Sequence, residues 1–377
     1  MNPRIAVNIF FLINGLIIAT LASRFVQIQE IYILSNKQLG FLLLAMSIGA
    51  FIGMPITGWL IHRFGSKHIT TIAGLCMPIG LLILPWSPVW ALLFIPFFMV
   101  GASNGIMDVA MNAQAVEVEK LWKRSIMTFF HALFSVGMMI GAGIGSICIS
   151  SGIHPRLHFM TVAIVSFVIL ALTSSYLLKE EAKEQEEDNV LFAWPTGALI
   201  ALGIIAFCCM MGEGAMADWS AIYMEKIVEA EKSLQVAGLF AFSALMAFAR
   251  FMGDGGRDRY GDKRMMMIGA VTSLLGIAMI LTVLHPYMVI LGFGLVGLGL
   301  ANVVPIVYSL AGNYPGVQPG VGIAAATTIG YTGFMAGPPL IGFLADAFDL
   351  RFALGCLGAL FVVMAILVLA YRPKKAL

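Results

Sequence analysis

Ionisable side chains interrupt the long apolar runs of this 377-residue chain at Arg24, Asp108, His131, Glu213, Asp218 and Arg250, with Asp254 close to the end of a run. A charge at the centre of a bilayer costs about 2.5–3.5 kcal/mol on insertion scales, so each such residue marks a pathway or a partner. An imidazole titrates near neutrality and a neighbouring carboxylate shifts it, so an Asp108–His131 pair would suit a proton relay. The same pair would also serve as a static polar clamp. Arg24 has Glu213 and Asp218 as candidate acidic partners. An ion pair that must break before two halves separate works as a gate. Asp218 and Trp219 equally suit an interfacial anchor, where Trp is enriched.

The elements that position these groups are membrane spans. The chain is 60 % hydrophobic and 11 % charged, against about 25 % charged residues in soluble proteins. A span needs roughly 20 apolar residues, and the pattern predicts twelve, six in each half. Pro85-Trp86-Ser87-Pro88, His154-Pro155, His285-Pro286 and Asn313-Tyr314-Pro315-Gly316 punctuate them. The apolar run from Ile5 reads as the first span rather than a cleaved signal. The expected organisation is a helical bundle over 1–178, an acidic linker over 179–194 and a second bundle over 195–377. Lys37, Arg156, Lys226, Lys232 and Arg351 fall on one side of this topology. The other Lys and Arg fall on the opposite side, apart from Arg24 and Arg250 inside spans. That bias puts both termini in the cytoplasm.

A rise of about 1.5 Å per residue places Asp108 roughly 27 Å along span four and His131 roughly 9 Å along span five. Those depths overlap, and Asn112 lies one turn from Asp108. Asn14, Asn104, Asn112, Gln114, Asn302 and Tyr331 are the candidate solute-binding groups, because such side chains bind hydroxyls and amides. Arg250 and Asp254, four apart, share a helix face.

Motifs recur at a constant offset of 196 residues. Gly65-Ser66-Lys67 returns as Gly261-Asp262-Lys263, Gly101 as Gly297, and Gly137 with Gly141 as Gly333 with Gly337. Repetition at one spacing implies a duplicated unit, and duplicated membrane halves commonly enclose a polar path.

These residues resemble the major facilitator superfamily. Its loop between spans two and three reads Gly-x-x-x-Asp-Arg-x-Gly-x-Lys/Arg. Gly58, Arg63, Gly65 and Lys67 match in the first half, with His62 in place of the Asp; Asp258, Arg259, Gly261 and Lys263 match in the second, with Asp254 in place of the Gly. Asp108 to Gln114, Phe130 to Ser135 and Glu213 to Trp219 resemble a bacterial branch of permeases near the fucose-permease group. The resemblance implies an all-α major facilitator fold of two pseudo-symmetric six-helix bundles. It implies a cytoplasmic latch drawn from Arg63, Arg250, Asp254, Asp258 and Arg259, for which a solvated orienting loop is the alternative. Fucose permeases carry acids in spans one and four; Asp108 suits the second, while span one offers only Asn14. The glycines from Gly137 to Gly145 are hinges, or a form of an exporter signature with Ala142 in place of its proline.

The expected protein is a multi-pass secondary transporter of the bacterial inner membrane, not an enzyme. It would move a small polar, sugar-like solute by alternating access, with a proton or sodium as coupling ion. Proton-coupled efflux of an amphiphile is the alternative. No cofactor, metal or nucleic acid is expected, and the working form is a monomer. His-Glu-x-x-His and P-loop motifs are absent from the sequence, which argues against a zinc-dependent intramembrane protease or an ATP-driven pump.

Overall fold

The computed structural model describes residues 2–122, 126–179, 197–315, 317 and 319–371, and these residues are almost wholly helical. In chain order the helices are α1 (Pro3–Ala22), α2 (Phe25–Tyr32), α3 (Asn36–Phe64), α4 (Ser66–Ile83), α5 (Phe94–Trp122), α6 (Met127–Ser150) and α7 (Pro155–Ser174). The second half holds α8 (Gly197–Lys226), α9 (Ala237–Tyr260), α10 (Asp262–Thr282), α11 (Pro286–Leu300), α12 (Val303–Gly312), α13 (Pro319–Ala347) and α14 (Leu350–Ala370). Among the described residues, 11 segments are long and apolar enough to cross a membrane, with α1–α2 and α11–α12 each forming one. The one expected span outside those 11, the eleventh in chain order, coincides with the 29-residue α13. The expected linker lies, beyond Lys179, outside the described residues.

Local chemistry sets the helix starts. Ser35 and Gln38 form a reciprocal capping box at α3, which satisfies two otherwise orphaned N–H groups. Asn2 with Pro3, His154 with Pro155, and Asp349 do related work at α1, α7 and α14. Large apolar side chains such as Leu172, Ile72 and Leu369 face outward, each more than half exposed, as a lipid solvent permits.

The 196-residue offset is visible in the contacts. Gly65 and Gly261 turn α3 into α4 and α9 into α10 with φ of 79° and 77°, a region that a Cβ disfavours. Lys67 Nζ donates to the carbonyls of Ser175 (2.7 Å) and Leu177 (3.1 Å) at the end of α7. Lys263 Nζ does the same at the end of α14, to Leu369 (2.7 Å) and Tyr371 (2.9 Å). Each loop lysine therefore caps the exposed carbonyls of its own half's last helix. A Cβ at Gly101 would collide with the Met46 carbonyl, and one at Gly297 with that of Phe242. The same small-residue packing thus occurs twice, α3 on α5 and α9 on α11.

Two spans break where the sequence reads as continuous. Span one breaks at Ser23-Arg24, and span ten at Ala301-Asn302. The halves meet where α6 packs on α9 and α3 on α13. The end where α1 begins is here called proximal, and the opposite end distal. Distally, Lys226 reaches Gln29 Oε1 (2.8 Å) and Asn36 Oδ1 (3.4 Å), Ser146 Oγ donates to the Ser233 carbonyl (3.0 Å), and Lys37 lies over the Phe343 ring. Proximally, Arg63 stacks on Trp59 and Phe64, while Arg257 pairs with Asp262 and bonds Ser309 Oγ (2.6 Å), each within its own half.

Candidate functional site

A charged cluster lies at mid-depth where α6, α8 and α9 converge on the break between α11 and α12. Cys209 and Glu213 are four apart on α8 and so share a face; the thiol lies 3.9 Å from Glu213 Oε1 and 3.5 Å from the Leu300 carbonyl. Arg250 of α9 is buried and extends its guanidinium three ways. Nη2 is 3.4 Å from Glu213 Oε1, Nη1 donates to Ser135 Oγ at 2.7 Å, and Nε reaches the Ala301 carbonyl at 3.4 Å. The last carbonyls of a helix lack intrahelical partners, and a break inside a membrane is tolerated when neighbours supply them. Cys209 and Arg250 supply those partners here. Asn302 Nδ2 returns the favour by donating to the Ala249 carbonyl (3.0 Å), locking the break against α9.

A second polar cluster sits on α5. Tyr331 of α13 donates its hydroxyl to Asp108 Oδ2 at 2.9 Å, and Asn112 Nδ2 donates to Asp108 Oδ1 (3.2 Å) and to the Asp108 carbonyl (2.8 Å). Ser135 and Tyr331 occupy equivalent positions under the 196-residue offset. Each makes a polar bond to the opposite half: Ser135 to Arg250, Tyr331 to Asp108. Both bonds must break if the halves part at this depth.

Several expected pairings are not formed. Asp108 is taken by Tyr331 and Asn112, while the His131 ring sits edge-on to Phe11 with centroids 5.3 Å apart. Depth on the two helices matched, but depth does not say which way a side chain points around its axis; α6 packs chiefly against α1, not α5. Arg24 bonds neither Glu213 nor Asp218. Its Nε lies 3.1 Å from His158 Nδ1 and its Nη2 donates to the Ile153 carbonyl at 3.0 Å, all within the first half. Asp218 is buried on α8 without a hydrogen-bonded or ion-paired partner among the described residues. Arg250 belongs to the mid-depth cluster rather than to a loop latch, because α9 runs another ten residues past it. Arg63 and Arg259 stack on aromatic rings of their own halves, Asp258 is exposed, and the side chain of Asp254 lies outside the described residues. Among the described residues, Arg257 and Asp262 form an ion pair in that loop.

Of the expected lining groups, Asn14 is fully buried with both amide atoms unpartnered, and Asn104 is half-buried. Gln114 is structural: it donates to Ser66 Oγ (2.6 Å) and the Leu178 carbonyl (3.0 Å) and accepts from the Leu178 N–H (2.9 Å). Asn302 serves the helix break and Asn112 serves Asp108. Ser135 and Cys209 were not singled out from sequence. Ser135 could have been found by applying the repeat offset to Tyr331, and Cys209 by its place one turn before Glu213. Among the described residues no group of three or more His, Cys, Asp or Glu could hold a metal.

The fold and this buried ionisable cluster define a polytopic helical membrane protein with a polar centre. The Major Facilitator Superfamily model matches residues 5–257 and 202–376, and the chain belongs to that superfamily. Over 97 % of its length it is 34 % identical to an uncharacterized MFS-type transporter of Yersinia pestis, covering 94 % of that relative. It is 33 % identical, over 97 % of its length and 98 % of the relative, to an uncharacterized transporter of Sinorhizobium fredii. The structure of the nucleoside transporter NupG superposes with a TM-score of 0.74 at 14 % identity, covering 99 % of this chain and 100 % of that one. The protein is a membrane transport protein, not an enzyme.

Proposed function

We propose that this chain is a proton-coupled importer of a small polar solute, with two six-helix bundles, twelve spans and both termini in the cytoplasm of a bacterial inner membrane. The Lys and Arg bias supports that orientation, which makes the proximal side cytoplasmic. The distal contacts between halves support closure on that side and hence an inward-facing state, with Phe129 on Phe251 a ring contact between the halves nearer the proximal end.

The observation that carries the reading is the pair of polar bonds joining the halves through ionisable groups, Arg250–Ser135 beside Glu213 and Tyr331–Asp108. Asp108 and Glu213 are the proton-accepting groups. Protonation of Glu213 removes the charge that holds Arg250 Nη2, freeing that donor for the solute. Protonation of Asp108 converts an acceptor of the Tyr331 hydroxyl into a group that can also donate. Either event changes how strongly the halves hold together, which is the differential interaction alternating access requires. His131, one turn from Ser135, stands next to this path. Asn14 and Asn104 supply amides for hydroxyl groups. The nucleoside neighbour, a transporter of sugar-bearing solutes, fits a monosaccharide or nucleoside cargo.

Proteoliposomes with an inward proton gradient and a panel of labelled monosaccharides and nucleosides test this. Accumulation of one member that collapses with the gradient supports the reading. Gradient-driven extrusion would reverse the direction and favour the efflux alternative. Accumulation indifferent to the gradient would reject proton coupling.

A further inference from the structure

A concave feature lies largely to one side of the interface between the halves and meets it at Phe41, which packs on Phe343. It is a groove of about 1250 Å³ between α3 and α4, floored by α5, larger than the ~300–1,000 Å³ of an ordinary small-molecule pocket. α3 packs closely on α5 and only lightly on α4, which leaves the α3–α4 seam open. The groove runs from Arg63 to Phe41 along α3, a span of about 33 Å at 1.5 Å per residue, close to the ~30 Å hydrocarbon thickness of a bilayer. Its walls are Ile, Leu, Phe, Ala and Met side chains such as Ile72, Phe98 and Ala102.

Its polarity is one-ended. Arg63 and His68 stand at the proximal end, and no cation lines the distal end at Phe41 and Phe94. Arg63 is exposed, lies over the Trp59 and Phe64 rings at 5.5 and 5.4 Å, and has no carboxylate partner among the described residues. His62 occupies the position where the loop motif ordinarily carries Asp, so that position supplies no acid to neutralise Arg63. Lys67 is spent on the carbonyls of Ser175 and Leu177. His68 Nδ1 faces the Phe64 carbonyl, which leaves Nε2 for another partner. Trp59, more than half exposed, marks headgroup depth, where Trp is enriched. Basic pockets between spans on the cytoplasmic side suit anionic headgroups.

The geometry points to this groove as a binding site for an anionic phospholipid of the proximal leaflet, its phosphate held by Arg63 and His68 and an acyl chain laid along α5. The site lies outside the polar centre and is read by lipid retention, so its failure and a failure of the transport reading are separate results. Native mass spectrometry of the full chain, with added dioleoylphosphatidylglycerol or dioleoylphosphatidylcholine, tests it. Wild type should retain the anionic lipid selectively. Loss or neutralisation of the Arg63 charge should reduce that retention roughly fivefold, on a scale of about 1 kcal/mol per Lys or Arg at the surface. Arg63→Gln with His68→Gln should therefore remove the preference. His62→Asp, which leaves Arg63 and His68 in place and adds an acid beside Arg63, should weaken it by a similar factor. Ala102→Phe, which fills the groove, should reduce retention of both lipids. Equal retention of the two lipids by wild type, or an unchanged preference in His62→Asp that elutes as folded protein, would overturn the proposal.

Discussion

Two buried arginines, each beside a broken span, show how the same residue serves different ends. Arg24, 2 % exposed, sits at the break between α1 and α2 and holds a neutral imidazole nitrogen and a backbone carbonyl, both in its own half. Arg250, 8 % exposed, sits against the break between α11 and α12 and holds a carboxylate, a carbonyl and a serine of the opposite half. The first has no acidic partner that a proton could neutralise, and none of its bonds crosses between the halves. The second has both. Burial of a charge therefore does not by itself distinguish the two; under the proposed mechanism, the chemistry and the half of their partners do.

The largest expected effect comes from breaking the second arginine's pair. Arg250→Ala leaves Glu213 buried without its cation, a loss of order 3–5 kcal/mol, and solute accumulation should fall at least about 100-fold. Replacing both partners, Arg250→Met with Glu213→Leu, should recover most of the thermal stability in detergent, since apolar replacements of buried pairs are often neutral, while transport stays lost. Recovered transport in that double variant would place the pair in the scaffold and erase the contrast with Arg24. Next comes Asp108→Asn, which should abolish gradient-driven accumulation yet leave solute exchange across the membrane, as counterflow would reveal. Loss of both activities would give Asp108 a binding role instead.

A smaller, different effect is expected at the first arginine. Arg24→Met should lower stability by about 2 kcal/mol through lost charged hydrogen bonds, with transport per folded molecule within about twofold of wild type. A large transport loss at unchanged stability would give Arg24 a gating role. The smallest effects should come as twins. Lys67→Met and Lys263→Met each remove one helix-end cap, so each should cost about 1 kcal/mol, equal within error in matched melts. Unequal values would show that the two halves carry their loops differently.

The repeat was legible in the sequence because glycine and lysine positions respond to backbone geometry, which the two halves share. The positions of the spans were legible because lipid rewards long apolar runs. Asp108 and Glu213 stood out by charge alone. Their partners did not, since a one-dimensional depth cannot say whether Asp108 faces α6 or α13. Gln114 looked like a lining group by type, but it ties α5 to Ser66 and Leu178. The breaks at Ser23-Arg24 and Ala301-Asn302 carry no proline or glycine, so nothing local announced them; they rest on partners far away in the chain.

The most direct test of proton coupling through Asp108 is external pH in a lightly buffered suspension of proteoliposomes. The account predicts that adding the transported solute alkalinises the medium with wild-type protein and leaves pH unchanged with Asp108→Asn. Solute uptake by wild type with no accompanying movement of protons would contradict it.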